Sequence, residues 1–260
     1  MIHDLVLLGA GNLATSLAVA VKNAGLPILQ VYSRTLESAS KLANLVGAEP
    51  ICRFEHLQTK ASIYIVALPD DIIAGIVPVL PELKGFVVHT SGSTPISVFE
   101  GLRVKGYGVF YPFQTFSRGR IVPFSKIPIC LEASNDECYA SLEQFASKLS
   151  GIIVPMSSEQ RRWLHLSGVF ACNFTNHMLA LAYQLTTKHH ISFDLVKPLV
   201  EETIRKAFDG NPALSQTGPA VRNDIKTMER HVQMLSAFGL ADLYKELSLS
   251  IQKLSKETKG

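Results

Sequence analysis

Apolar positions in the first part of the chain fall in short unbroken runs: Leu5 to Leu8, Pro27 to Tyr32, Ile63 to Leu68, Gly85 to Thr90, Tyr107 to Pro112 and Ile127 to Glu132. Such β-branched runs, set between segments of helical period, predict strands buried on both faces. The intervening segments predict helices at 12–24, 36–46 and 70–80, with a weaker one at 95–104. The region up to about Pro155 is therefore an α/β class, βαβ series around a doubly wound parallel sheet. After Gly151 to Pro155 the pattern changes to long stretches of helical period. Ser157 and Gln160 fit a capping box, and only Gly168 interrupts the pattern until past His190, which predicts a single helix of about 30 residues and roughly 45 Å. Further helices are predicted from about Ser192 to Asp209-Gly210, over 217–236 and over 239–256, with Lys256 to Gly260 as a loose tail. The division is thus an α/β domain, 1–155, and an all-helical domain, 156–260.

The composition of this 260-residue chain, 47% hydrophobic and 18% charged, excludes general disorder and provides for a substantial core. A formal charge of +3, with no run of five like charges, argues against a nucleic-acid partner. The most apolar stretch, Ser62 to Leu80, is broken by Pro69, Asp70, Asp71 and Pro78, so no membrane span is expected. The start of the chain lacks the basic and apolar regions of a secretory signal, and the expected location is cytoplasmic. Cys52, Cys130, Cys138 and Cys172 have neither zinc nor disulfide spacing and read as free thiols or small buried side chains, with no metal expected. Asn173-Phe174-Thr175 matches a glycosylation sequon but lies in an apolar helical stretch and carries no weight.

The first run ends in Gly9-Ala10-Gly11-Asn12-Leu13-Ala14, the G-x-G-x-x-A form of a dinucleotide fingerprint, after a strand and before a helix. Gly9 permits the tight turn, Gly11 lets backbone approach a pyrophosphate, and Ala14 lets helix and strand pack closely. Amides at Asn12 and Leu13 would face the anion. The second strand ends at Ser33-Arg34-Thr35, where an NAD enzyme usually carries an acid for the ribose hydroxyls. Arg34, flanked by two hydroxyls, suits a 2′-phosphate, so NADP(H) is preferred over NAD. Leu68-Pro69 closes another strand at the ligand-binding edge and is expected to flank the cofactor, with Asp70 and Asp71 read as helix-cap carboxylates rather than catalytic groups.

Ser91, Gly92 and Ser93 follow the fourth predicted strand, where hydroxyls and amides can hold a carboxylate or carbonyl. Tyr111 and Gln114 lie among aromatics able to wall a nicotinamide pocket. On the long helix His165, Val169, Asn173 and His177 recur every four residues, drifting about 40° per step along one face. Facing a cleft, Asn173 would orient a substrate and His165 or His177 would supply a proton near neutral pH. Arg222, after Gly218-Pro219, is a further candidate for binding an acidic substrate or the cofactor phosphates, although a capped helix with Asp224 pairing internally explains that segment slightly better.

With these motifs in view, the chain resembles the 6-phosphogluconate dehydrogenase superfamily of NADP-binding oxidoreductases, with pyrroline-5-carboxylate reductase the nearest familiar architecture. More closely, GAGNLATSLA, HTSGS, FYPFQTF, FACNFTNH and TGPAVRND look like a Rossmann-like group with a DUF2520 domain, described as NADP oxidoreductases or F420-dependent reductase-like. The resemblance implies an NADP-binding Rossmann domain and a helical domain that dimerises and completes a substrate cleft. It also implies hydride transfer involving a small carbonyl or imine compound bearing a carboxylate. Relatives carry K-x-x-x-N on the long helix; here Asn173 matches the asparagine, but Val169 replaces the lysine, leaving His165 as the candidate acid. Tyr111 stands where relatives often have histidine, and Asn223 where they usually have glycine. The missing lysine keeps a non-catalytic NADP(H)-binding regulatory protein in play, and F420 remains an alternative hydride carrier.

Overall fold

In a computed structural model, residues 1–259 are described. The strand-rich part builds one sheet of eight strands: β1 Leu5–Leu8, β2 Ile28–Tyr32, β3 Glu49–Ile51, β4 Ile63–Val66, β5 Phe86–His89, β6 Gly106–Pro112, β7 Ile129–Ala133 and β8 Ile153–Pro155. Their order is β3-β2-β1-β4-β5-β6-β7-β8, which reverses direction between β1 and β4. All pairings are parallel except β6 with β7. That one antiparallel pair departs from the parallel sheet expected, because apolar runs report burial on both faces and not strand direction.

Alternation along the central strands divides the core in two. Leu5, Leu7, Ile63 and Ile65 join one buried cluster, while Val6, Leu8, Tyr64 and Val66 join the other. Helices α1 Asn12–Asn23, α2 Leu36–Val46, α3 Asp70–Ile76 and α4 Asp136–Ser147 accompany the sheet. The predicted helix at 70–80 stops at Ile76 and continues as a short 3-10 turn over Val77–Val79, where Pro78 has no N–H to extend the ladder. The segment 95–104 forms only a 3-10 turn, Ile96–Phe99, ahead of Gly101 at φ +86°. The three-residue edge strands β3 and β8, and helix α4, which Asn135 caps by accepting from the Cys138 amide at 2.8 Å, have no counterpart among the predicted strands and helices.

The capping box of Ser157 and Gln160 opens α5 Ser158–Gly168. The helix continues through a π-helical turn, Val169–Phe174, into α6 Thr175–Lys188, so the expected uniform α-helix is corrected at its centre. Gly168 enters this turn with the Phe113 ring against it; a Cβ there would lie 2.8 Å from a ring carbon. Two compact units make up the chain, Met1–Asn176 and the part from His177 onward.

In the second unit, a 3-10 turn Phe193–Leu195 leads into α7 Lys197–Phe208, followed by α8 Ile225–Ser236 and α9 Ala241–Lys259. Residues 217–224 form a turn, with Gly218 at φ +113° and Asn223 at φ +53°, and not the start of a helix as the pattern suggested. Asn223 stands at a left-handed position, which explains why a glycine or an asparagine suits it. Asp224 caps α8 by accepting from the Thr227 amide at 3.2 Å. The expected loose tail is also corrected: α9 runs through Lys259, while Gly260 lies outside the described residues.

Candidate functional site

The glycine turn sits at the C-terminal edge of β1, beside the reversal of strand order where ligands of doubly wound sheets bind. Gly9 has φ +133°, and a Cβ on it would come within 2.8 Å of the Ala67 carbonyl carbon, so only glycine fits. Gly11 is the opposite case: it faces open space, with nothing within 4 Å of a Cβ position. It also opens α1 with no side-chain cap, leaving the first helical amides available to an anion. Ala14 is buried in the core cluster under α1. Asn12 donates from its side-chain amide to the Phe116 carbonyl at 3.3 Å, while Leu13 packs against the core.

At the end of β2, Ser33 donates its amide to the Ile51 carbonyl at 3.1 Å, and Thr35 caps α2 by accepting from the Ser38 amide. Arg34 between them is exposed and has no carboxylate within ion-pair distance among the described residues. These features fit a dinucleotide carrying a 2′-phosphate: backbone amides under an open glycine, then a free guanidinium beside hydroxyls. Leu68 and Pro69 lie on the same edge, with Pro69 in the position preceding α3.

The loop after β5 is organised from within. The Ser91 hydroxyl accepts from the Ser93 and Thr94 amides at 3.1 and 2.9 Å, and the Ser93 hydroxyl donates to the Asp70 carboxylate. His89, buried at the end of β5, accepts the Ser91 amide on Nδ1 at 3.2 Å. Burial, helped by the positive charge of Arg161, pushes its imidazole down to about 4.

One cavity of about 280 Å³ gathers several of the predicted residues. Tyr111, Gln114, His165, Val169, Cys172 and Asn173 line it. Tyr111 and His165 share a hydrogen bond of 3.0 Å between the phenol oxygen and Nδ1. Gly92 is packed on this pair, and a Cβ there would fall 2.5 Å from His165 Nδ1 and 2.8 Å from the Tyr111 oxygen. The loop after β5, the end of β6 and α5 thus converge within one unit. Burial pushes the Tyr111 phenol up to about 12, so it stays a neutral hydrogen-bonding group at ordinary pH. The Gln114 side chain accepts from the Thr115 amide at 2.8 Å. His177 is exposed at the start of the second unit, and Arg222 is exposed in the turn before α8.

Sequence reasoning missed what holds this arrangement. Arg161, one helical turn before His165, is fully buried and paired with Glu132 at the end of β7. Its second nitrogen donates to the Thr94 carbonyl at 2.5 Å, and Glu132 accepts from both the amide and the hydroxyl of Ser158, at 2.9 and 2.7 Å. The ion pair ties α5 to β7 and to the loop carrying Gly92. The only available signal was an acid closing an otherwise apolar run, Ile129-Cys130-Leu131-Glu132.

This site can be set beside known proteins. The model of DUF2520, a domain of unknown function, matches residues 127–251, and that of the F420-dependent NADP oxidoreductases matches residues 4–88. Over its whole length the chain is similar to a protein of Bacteroides fragilis proposed to be an NADP oxidoreductase, with 46% identity, 97% of this chain and 98% of that chain covered, and a TM-score of 0.88. The chain belongs to that family. As an NADP oxidoreductase with a DUF2520 domain, it has more distant neighbours that share the fold. One is a reductive aminase of Aspergillus terreus solved with NADPH and ethyl-5-oxohexanoate, at 15% identity, TM-score 0.74 and 99% and 95% coverage of the two chains. Another is an imine reductase of Myxococcus stipitatus solved with NADP+, at 13% identity, TM-score 0.72 and 98% and 94% coverage. No protein among the curated ones compared matches the chain.

Proposed function

We propose that this NADP oxidoreductase reduces a small carbonyl or imine compound bearing a carboxylate, and that the Tyr111–His165 pair serves the proton transfer. The observation that carries this reading is the 3.0 Å bond between the two side chains in a cavity that also contains Asn173. NADPH, when bound, supplies the hydride. Gly9, Gly11, Asn12, Leu13 and Ala14 would hold its pyrophosphate, Ser33, Arg34 and Thr35 its 2′-phosphate, and Leu68 and Pro69 would flank it. Asn173 donates to the substrate oxygen or nitrogen, and His165 gives that atom a proton as the neighbouring carbon is reduced. Tyr111, held neutral by burial, orients the imidazole. Val169 leaves this duty to His165, since valine exchanges no proton.

Ser91, Gly92, Ser93 and Gln114 shape the substrate's surroundings on this reading. The domain assignment, 1–155 for cofactor and 156–260 for substrate and dimerisation, belongs to the same proposal, as does a cytoplasmic location. A homodimer is supported by large apolar side chains left in the open on the helical part, including Leu195 at 73% and Phe208 at 85% exposure.

The test is a screen of carbonyl and imine acids with NADPH, followed by His165→Gln and Tyr111→Phe on whichever substrate turns over. His165→Gln should lower kcat by about 100-fold, the usual scale for a general acid. Tyr111→Phe should lower it less and displace the pH profile. Unchanged kcat and an unchanged profile in both variants would remove the pair from the mechanism.

A further inference from the structure

A second groove, of about 430 Å³, lies beside the glycine turn. Asn12 and Thr15 of α1, Ser38 and Lys41 of α2, and Arg118 and Arg120 line it, and its lining contains no acid. The two arginines come from the connection between β6 and β7. These strands are antiparallel neighbours that a hairpin of two to five residues could join, yet the connection runs over 113–128. Connections of this length with little secondary structure of their own are uncommon in compact domains, and this one has only the 3-10 turn Phe124–Lys126. This one carries Arg118, Arg120 and Lys126 and no Asp or Glu. It is also held in place from the cofactor side: the Asn12 side chain, immediately after Gly11, donates to the Phe116 carbonyl at 3.3 Å. Phe116 packs against Phe124, and Gly119 turns the tip at φ +75°.

Both arginines are exposed and have no carboxylate within 4 Å among the described residues, whereas Lys41 is occupied by Glu37 at 2.6 Å. Two uncompensated guanidiniums beside the first turn of α1 raise the positive potential over the amides that face an anion. We infer that the loop Ser117 to Ile121 is a basic flap whose Arg118 and Arg120 bind the phosphates of NADP(H), adding a charged cover to the backbone cradle. This rests on the cofactor placement given above, since another location for the dinucleotide would leave the flap without a ligand. The chemistry suits either the pyrophosphate or the 2′-phosphate, because the groove runs from α1 to the α2 residues that follow Thr35.

The experiment compares NADPH and NADH affinity in the wild type, Arg118→Ala/Arg120→Ala, the corresponding double lysine variant and Arg34→Ala, by nucleotide fluorescence at two salt concentrations. The double alanine variant should bind NADPH about tenfold or more weakly, with a shallower salt dependence, and lysines should restore part of the loss. Losses equal for both nucleotides would place the arginines on the pyrophosphate, and a loss confined to NADPH on the 2′-phosphate. NADPH should also protect the wild-type chain from trypsin after Arg118 and Arg120. Unchanged NADPH affinity and no protection, with Arg34→Ala still impaired, would overturn the flap alone. Loss of neither affinity nor selectivity in Arg34→Ala would instead overturn the cofactor placement beneath it.

Discussion

At the scale of single residues, the candidate site depends on atoms that are absent as much as on those present. Gly92 leaves the room in which the Tyr111 phenol and the His165 imidazole meet. Gly92→Ala should therefore separate the pair and lower kcat by about tenfold or more, with little change in NADPH affinity, because the nearest obstructions to the new methyl are the His165 ring and the Tyr111 oxygen. Steady-state kinetics with a nucleotide titration checks this; a kcat equal to the wild type would show that the pair tolerates displacement. Tyr111 also shows where reading one residue at a time stops. It was legible as a pocket-lining side chain, but its bond to His165 joins positions far apart in sequence, and no periodicity reports such a contact. Arg34 and Gly11 were legible as candidates because they stand at fixed places in a local succession of strand, turn and helix.

At the scale of elements, strands β1, β2, β4, β5, β6 and β7 were readable as apolar runs, and the capping box marked the start of α5. β3 escaped because three residues containing Pro50 carry no pattern. The direction of β7 escaped because a buried strand looks the same in sequence whichever way it runs. The π-helical turn at Val169–Phe174 was hidden for a related reason, since spacing of four residues suits α and π geometry nearly alike. The coupling of β5 to α5 has a consequence for stability. The His89 imidazole is pushed down to about 4 in the folded chain, against about 6.5 when unfolded. The unfolded chain thus binds a proton that the folded chain refuses between these values. Stability should be unaffected by this group above pH 6.5, fall as the pH drops from 6.5 to 4, and lose on the order of 3 kcal/mol in total. His89→Asn should flatten that part of the curve, as followed by thermal unfolding against pH; an identical slope in the variant would contradict the assignment.

At the scale of the whole molecule, the βαβ pattern with its glycine turn and the motifs shared with a known family pointed to a dinucleotide-binding oxidoreductase, and the family membership agrees. What sequence could not reveal is how much apolar surface the helical part leaves uncovered, since an amphipathic pattern is the same whether the covering layer is the chain itself or a second copy. On the dimer reading, light scattering at micromolar concentration should give twice the chain mass, and Phe208→Asp should shift the population toward monomer. A wild-type monomer at that concentration would rule the dimer out. The cofactor placement brings together the open Gly11, the uncapped start of α1 and the unpaired Arg34, and it predicts discrimination by a single phosphate. The most direct measurement is a titration of the purified chain and of Arg34→Ala with NADPH and NADH. NADPH should bind the wild type at least about tenfold more tightly than NADH, and the advantage should largely vanish in the variant. Binding of neither nucleotide, or equal affinity for both in the wild type, would contradict it.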